Sequence, residues 1–268
     1  MSNNNNPNKR RCNDISTDSV PSATAMRRET STPVVSSSEE GETYVLADPL
    51  TKLLHVKMQK DDEHEVGAAL KELDSRMGNE DNIKKAFSLG AHSIILLALK
   101  KWKDSESIQT NGRDCLAHML KSNQISNSLG IKKALVQSGS IEDAVWAMKN
   151  FRESAGIQER AFLFLDNLFY VQLSDANESA IAKQASAFFV NEVDGIELVV
   201  AAMGKFGEDE HVQEYGISLL DELARENDYH KRLMNAVGVV GAALTNFKEH
   251  NVIQEEGVSF MRKMFSEV

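Results

Sequence analysis

The sequence predicts an all-α fold, a solenoid of stacked helical repeats behind a disordered N-terminal tail, on three observations. All four prolines (Pro7, Pro21, Pro33 and Pro49) fall in the first 49 residues. The body is left without the residue that helix interiors tolerate least. A short pattern, an aromatic followed six residues later by Ile or Val and then Gln, recurs four times. After each recurrence the apolar side chains fall at offsets that trace one face of a helix.

The tail comprises residues 1–45. No leucine occurs before Leu46 and no aromatic before Tyr44, while Asn, Ser, Thr and Pro are abundant. Such a segment cannot bury enough apolar surface to offset the entropy of ordering, and disorder is expected. Within it, "RRETST" sets Thr30 behind two arginines, a pattern that basophilic kinases accept. Thr30 is therefore a candidate phosphosite, whose added charge would suit an arginine cluster. The competing reading is that such strings are common in any Ser/Thr-rich tail. "NKRR" is a weaker basic string that would suit nuclear import.

The body, 46–268, carries the repeats. Their glutamines, Gln109, Gln158, Gln213 and Gln254, lie 49, 55 and 41 residues apart, and a degenerate leading unit centres on Val66. The unit is thus 41–42 residues, with extra turns before the second and third glutamines. Numbering each Ile/Val (Ile108, Ile157, Val212, Ile253) as zero, offset +4 is Gly112, Ala161, Gly216 and Gly257. Offset +7 is Cys115, Phe164, Leu219 and Phe260, and +11 is Met119, Leu168, Leu223 and Met264. The tiny residue on the buried face of this long helix predicts close approach of the helix before it. That second helix is read from "SIILLALKKW", "SIEDAVWAMKNF", "GIELVVAAMGKF" and "VVGAALTNF", with Trp102 and Trp146 as core residues. Short helices such as "NIKKAFSLG" and "HKRLMNAVG" precede these, each expected to stop at its glycine. Three-helix units of this kind bury their faces only by stacking.

These residues resemble an armadillo-type repeat. The stretch 195–238 is similar to one armadillo unit in helix order, in its hinge acids and in the Val-Gln-Glu opening of the long helix. The Ile/Val-Gln-x-x-Gly form is similar to armadillo regions of leucine-rich-repeat kinases and of protist repeat proteins. The resemblance implies a right-handed superhelix over about 48–268 whose third helices form a concave groove for a protein or peptide partner. In importin-type members a Trp and an Asn on that helix grip the peptide. Here +6 holds no Trp, and Asn167 is the one Asn at +10, so a receptor of that kind is not expected.

The groove candidates sit at +3, +6, +10 and +13. They are Asn111, Asp114, His118 and Lys121; Arg160, Leu163, Asn167 and Tyr170; Tyr215, Ser218, Glu222 and Arg225; and Glu256, Ser259 and Lys263. Exposed aromatic and Arg residues of this sort often anchor interfaces, while an ordinary solvated face is the plainer reading. At the C-terminal end, Val258 (+5) and Phe265 (+12) occupy offsets that elsewhere hold Phe162, Ile217 and Phe169. They are candidates for end-face contact, either as a homodimer or as a subunit docking into a larger complex.

Chemistry is expected to be absent. The seven histidines show no metal spacing, and Cys115 falls at a core offset. The acidic "DDEHE" (Asp61–Glu65) reads as a helix N-terminus rather than a metal site. No phosphate loop, dinucleotide fingerprint or nucleophile elbow occurs. Asp221 and Glu222 are adjacent and so point apart. No cofactor is expected, and no catalytic residue. The formal charge of −10, nearly all of it in the body, disfavours nucleic acid. The longest apolar run, Ile94–Leu99, is too short for a membrane span. Two cysteines suit a reducing compartment, so a soluble cytoplasmic protein is expected, with nuclear residence as the alternative. The function expected is a protein-binding scaffold, ahead of a helical-repeat RNA binder or an enzyme with a dispersed site.

Overall fold

A side-chain cap at the N-terminus of each long helix turns the repeat pattern into structure. In the computed structural model, residues 57–121, 128–171 and 176–266 are described. The tail, with Thr30, lies outside them. Every regular element among the described residues is helical. They run α1 (Glu63–Arg76), α2 (Glu80–Ser88), α3 (Ala91–Lys101), α4 (Glu106–Lys121), α5 (Ser128–Gln137), α6 (Ser140–Asn150) and α7 (Ala155–Phe169). Then come α8 (Ala176–Asn191), α9 (Gly195–Lys205), α10 (Glu210–Leu223), α11 (His230–Leu233), α12 (Val237–Asn246) and α13 (Asn251–Phe265).

The third helices α4, α7, α10 and α13 open directly after a capping residue whose side chain accepts from the backbone N–H three residues on. Ser105 Oγ, Ser154 Oγ, Asp209 Oδ1 and His250 Nδ1 accept from the backbone N–H of Ile108, Ile157, Val212 and Ile253, at 3.4, 3.3, 3.0 and 3.3 Å. The recurring glutamine then closes the hinge. Gln213 Nε2 donates to Met203 O at 2.9 Å and to Phe206 O at 3.0 Å at the end of α9, the second of which also accepts from Asp209 N at 3.0 Å. Gln109, Gln158 and Gln254 repeat both bonds at the ends of α3, α6 and α12. The tiny +4 residue meets the same second helix. A Cβ on Gly112 would lie 2.7 Å from Leu99 Cδ2, and one on Gly257 the same distance from Leu244 Cδ2.

Stacking proceeds in ranks. Each of α1, α4, α7, α10 and α13 packs on the next, the second helices α3, α6, α9 and α12 do likewise, and α5 packs on α8. One apolar cluster runs through the whole stack, from Val66 to Met264.

Several expectations need correction. The first helices are not uniformly short, because the residues inserted before Gln213 lengthen α8 to 16 residues. In the fourth copy the first helix breaks into the four-residue α11 between two 3₁₀ turns. Gly90 and Gly139 do end first helices with left-handed φ of 76°. Gly238, by contrast, lies inside α12. In the third copy the left-handed turn falls to Asp194 (φ 56°), a residue type that tolerates it. Gly195 is kept bare because a Cβ there would sit 2.4 Å from the Phe189 ring. Trp102 is half-buried and packs against the core, whereas Trp146 is half-buried at its flank, with the Lys101 and Lys103 ammonium groups over their rings at 4.4 and 5.5 Å.

Candidate protein-binding face

Helix α-periodicity puts +3, +6 and +10 on one side of each third helix, and stacking sets each helix's side chains against those of the one before. The result is a ladder across the face. Between α1 and α4, Asn111 Nδ2 donates to Gly67 O at 3.1 Å, and His118 Nδ1 lies 2.6 Å from Asp74 Oδ1. That hydrogen bond raises the His118 pKa above its ordinary value. Between α4 and α7, Arg160 Nε lies 2.8 Å from Asp114 Oδ1, and Asn167 Nδ2 donates to Ala117 O at 3.3 Å. Between α10 and α13, Ser218 Oγ donates to Glu256, and Lys263 Nζ donates to Asp221 Oδ2 at 2.7 Å.

The register thus sets +10 of one helix against +8 or +9 of its predecessor. Between α7 and α10 that rule joins like with like, because +9 is Asp166 and +10 is Glu222. Asp166 is half-buried. Its carboxyl is pushed up to about 8, first by burial among the groove walls and then by Glu222, Glu256 and Asp221, with Arg225 opposing. Burial likewise raises Glu222 to about 7, against the pull of Arg225 and Lys263. Arg225 Nε stands 3.2 Å from Glu222 Oε2, and its guanidinium lies 5.7 Å from the centre of the Tyr170 ring. Asp114 is raised to about 6 by burial, with Arg160 opposing.

Beside this junction an open cavity of about 410 Å³ is walled by Phe169, Ala182, Ser186, Glu222 and Arg225 among others. Of the remaining candidates, Leu163 packs partly buried against the core. Tyr215 stacks on His211 with ring centres 6.2 Å apart, and Lys121 is exposed at the end of α4. The strip read from sequence is therefore a set of half-buried, mutually positioned groups more than a row of free side chains. Asp221 and Glu222 do point apart, to Lys263 and Arg225.

Reasoning from sequence passed over Asp74, Asp166 and Asp221 as candidates, and read Glu256 at +3 without its partner Ser218. The signal was present, since acids recur at +9 in copies two and three, but its meaning depends on the register between copies. It also passed over two buried charges. Arg113, at +5, is buried, with Nη1 donating to Gln109 Oε1 at 2.7 Å and Nη2 to Asp143 O at 2.7 Å. Burial lowers its pKa to about 10. Lys132 on α5 lies buried 2.8 Å from Glu178 on α8 and donates also to Tyr170 O.

Cys115 is buried, its Sγ 3.2 Å from Leu70 O, and burial pushes the thiol pKa well up. Asp62 caps α1 by accepting from Glu65 N at 3.0 Å. Among the described residues no group of three or more His, Cys, Asp or Glu is placed to hold a metal ion. Nor, among them, is any helix long and apolar enough to cross a membrane. No protein-family model matches the chain, and no curated protein matches it.

Proposed function

We propose that the chain is an armadillo-type array, a right-handed superhelix serving as a non-enzymatic scaffold that holds a segment of a protein partner along its third helices. The observation that supports this most is the junction of Asp166 and Glu222. Elsewhere on the face, carboxylates meet an Arg, Lys, His or hydroxyl from the neighbouring copy. Here two carboxyls meet, Asp166 opposed by Arg225 and Glu222 by Arg225, Lys263 and Lys132, so that acids outnumber the cations directly beside Asp166, next to a cavity large enough for a side chain. A Lys or Arg from a partner would supply the missing charge, and a charge-assisted bond in a half-buried site is a strong one. Tyr170 and Arg225 at the rim belong to the residue types that carry binding energy. A reducing, cytoplasmic setting is part of the proposal and rests on the buried free thiol of Cys115.

Selection of random displayed peptides on the full chain tests this reading. Peptides enriched in Lys or Arg are expected, with affinity reduced about tenfold by Asp166→Asn combined with Glu222→Gln. Binders lacking basic residues, or binders indifferent to that pair of changes, would refute it.

A further inference from the structure

Val258 and Phe265, the end-face candidates, are exposed on α13, and Leu97 is exposed on α3. Apolar surface with a shape of its own lies elsewhere, in recesses between successive second helices. One recess, of about 140 Å³, sits between α3 and α6 and is lined by Leu99, Lys103, Gln109, Asp143 and Trp146 among others. The other, of about 260 Å³, sits between α6 and α9 and is lined by Met148, Arg152, Gln158, Leu198 and Ala201 among others. These are the same place in the repeat. Each set comprises offsets −9, −5 and +1 of one copy and −14 and −11 of the next.

Two exchanges separate them. At −11 the first junction has Trp146. The Lys103 ammonium stands 5.5 Å from the centre of its ring, and the Phe151 ring meets it edge-on at 6.2 Å. The second junction has Ala201 there, with Arg152 at the offset of Lys103 and Phe206 at that of Phe151. At +5 the first junction has Arg113, whose Nη1 donates to Gln109 Oε1 at 2.7 Å. The second has Phe162, which offers no donor. Gln158 is buried and its Nε2 is committed to Met148 O and Phe151 O, yet among the described residues its Oε1 accepts no hydrogen bond. That oxygen is left to whatever fills the recess, since amide acceptors at buried positions are normally paired. The α6–α9 recess is thus built like its neighbour, but without the ring and without the N–H.

We infer that the recess between α6 and α9 is a binding site for the indole of a tryptophan on a partner protein. Indole joins a large apolar ring to a single N–H donor and carries no acceptor. It is also what the chain itself places in the recess one copy earlier. Seated as Trp146 is, the ring would face the Arg152 guanidinium and turn an edge to Phe206, over a floor of Met148 and Leu198. Its N–H would answer Gln158 Oε1. The size of the recess favours a side chain over a free small molecule, whose pockets usually run to about 300–1,000 Å³. No groove residue takes part, so this site and the groove can fail separately.

Methyl NMR of the full chain, titrated with N-acetyl-tryptophanamide, tests it. Saturable shifts are expected at the methyls of Met148, Leu198 and Ala201, with a dissociation constant of about 0.1–1 mM for a single ring anchor. The analogue methylated on the indole nitrogen should bind about tenfold more weakly, and Arg152→Ala should weaken binding about threefold. Ala201→Trp supplies the ring from the chain, as Trp146 does, and should abolish the response with the circular dichroism spectrum unchanged. Arg152 and Ala201 are both exposed, so neither change disturbs the core. The proposal is overturned if no saturable shift appears up to about 10 mM, if the N-methylated analogue binds equally well, or if the Ala201→Trp protein responds as wild type does. Free indole binding about tenfold tighter than the amide would overturn it too, by marking a small-molecule site.

Discussion

Adding one methyl group at equivalent glycines should have different consequences in different copies, and the difference is set by what the second helix presents. At Gly216 a Cβ would lie 2.8 Å from Met203 Cγ and Sδ and 3.4 Å from Phe162 Cε2. At Gly112 it would lie 2.7 Å from Leu99 Cδ2, 3.1 Å from Leu99 Cγ and 3.5 Å from Ile95 Cγ2. Alanine gains about 1 kcal/mol of helix propensity at either site, and overpacking a core costs about 1–3 kcal/mol. Methionine is unbranched and can re-route its chain, and the second copy already holds Ala161 at the offset facing Met148. Leu99 is branched at the contact and buried beside Ile95, so it has fewer ways to re-route than a methionine. Gly216→Ala is therefore expected within about 1 kcal/mol of wild type, and Gly112→Ala to lose about 1–2 kcal/mol. Gly216→Leu must displace both Met203 and the Phe162 ring and should lose about 3 kcal/mol or more. For a body of this size each kcal/mol shifts the melting temperature by roughly 2–4 °C, well within reach of thermal melts followed by circular dichroism. The reasoning is refuted if Gly216→Ala proves as damaging as Gly112→Ala, or if Gly216→Leu melts with wild type.

What the sequence made legible was local. Apolar offsets of 0, 4, 7 and 11 report one helix and its buried face without reference to anything distant, and the bare +4 position follows from the same periodicity. The glutamine was visible as a marker, but its role was not. Its partners lie seven and ten residues back, and only the hinge angle brings those carbonyls to the amide. Arg113 shows the opposite failure. Its offset is a core one, yet the general rule that arginine stays outside argues against burying it. Its neighbours Gln109 and Asp143 provide the acceptors that make burial tolerable. The groove pairs were the least legible. Lys263 with Asp221, Arg160 with Asp114 and Asp166 with Glu222 all depend on how one copy is set against the next. Spacing within a copy cannot encode that register when the copies themselves are 41, 49 and 55 residues apart.

Two further expectations rest on hydrogen bonding and charge. Gln213→Leu removes the amide from Met203 O and from Phe206 O, the latter keeping the Asp209 N–H, and should lose about 1–3 kcal/mol in urea unfolding; a loss no larger than that of an exposed control would show that water or a backbone shift replaces the amide. The groove carboxyls make stability depend on pH, and the sign follows from their direction. Asp166 at about 8, Glu222 at about 7 and Asp114 at about 6 all stand above their ordinary values of 3.8, 4.5 and 3.8. Between roughly pH 4 and pH 8 the folded chain therefore binds more protons than the unfolded one, and stability falls as pH rises through that window. His118, also raised, acts in the same sense. His92, lowered by burial, opposes it only up to its ordinary 6.5. Urea midpoints should accordingly decline from pH 5 to pH 9. Asp166→Asn, which cannot ionise, should flatten the profile and exceed wild type at pH 8 by about 2 kcal/mol, after allowing for the solvent that reaches this half-buried group. A midpoint that rises across the window would refute the like-charge reading of the junction between α7 and α10, as would an asparagine variant that tracks wild type at every pH. The same measurement bears on the groove. If folding is strained by the Asp166–Glu222 pair at pH 8, a cationic partner should relieve that strain and bind more tightly to the ionised face.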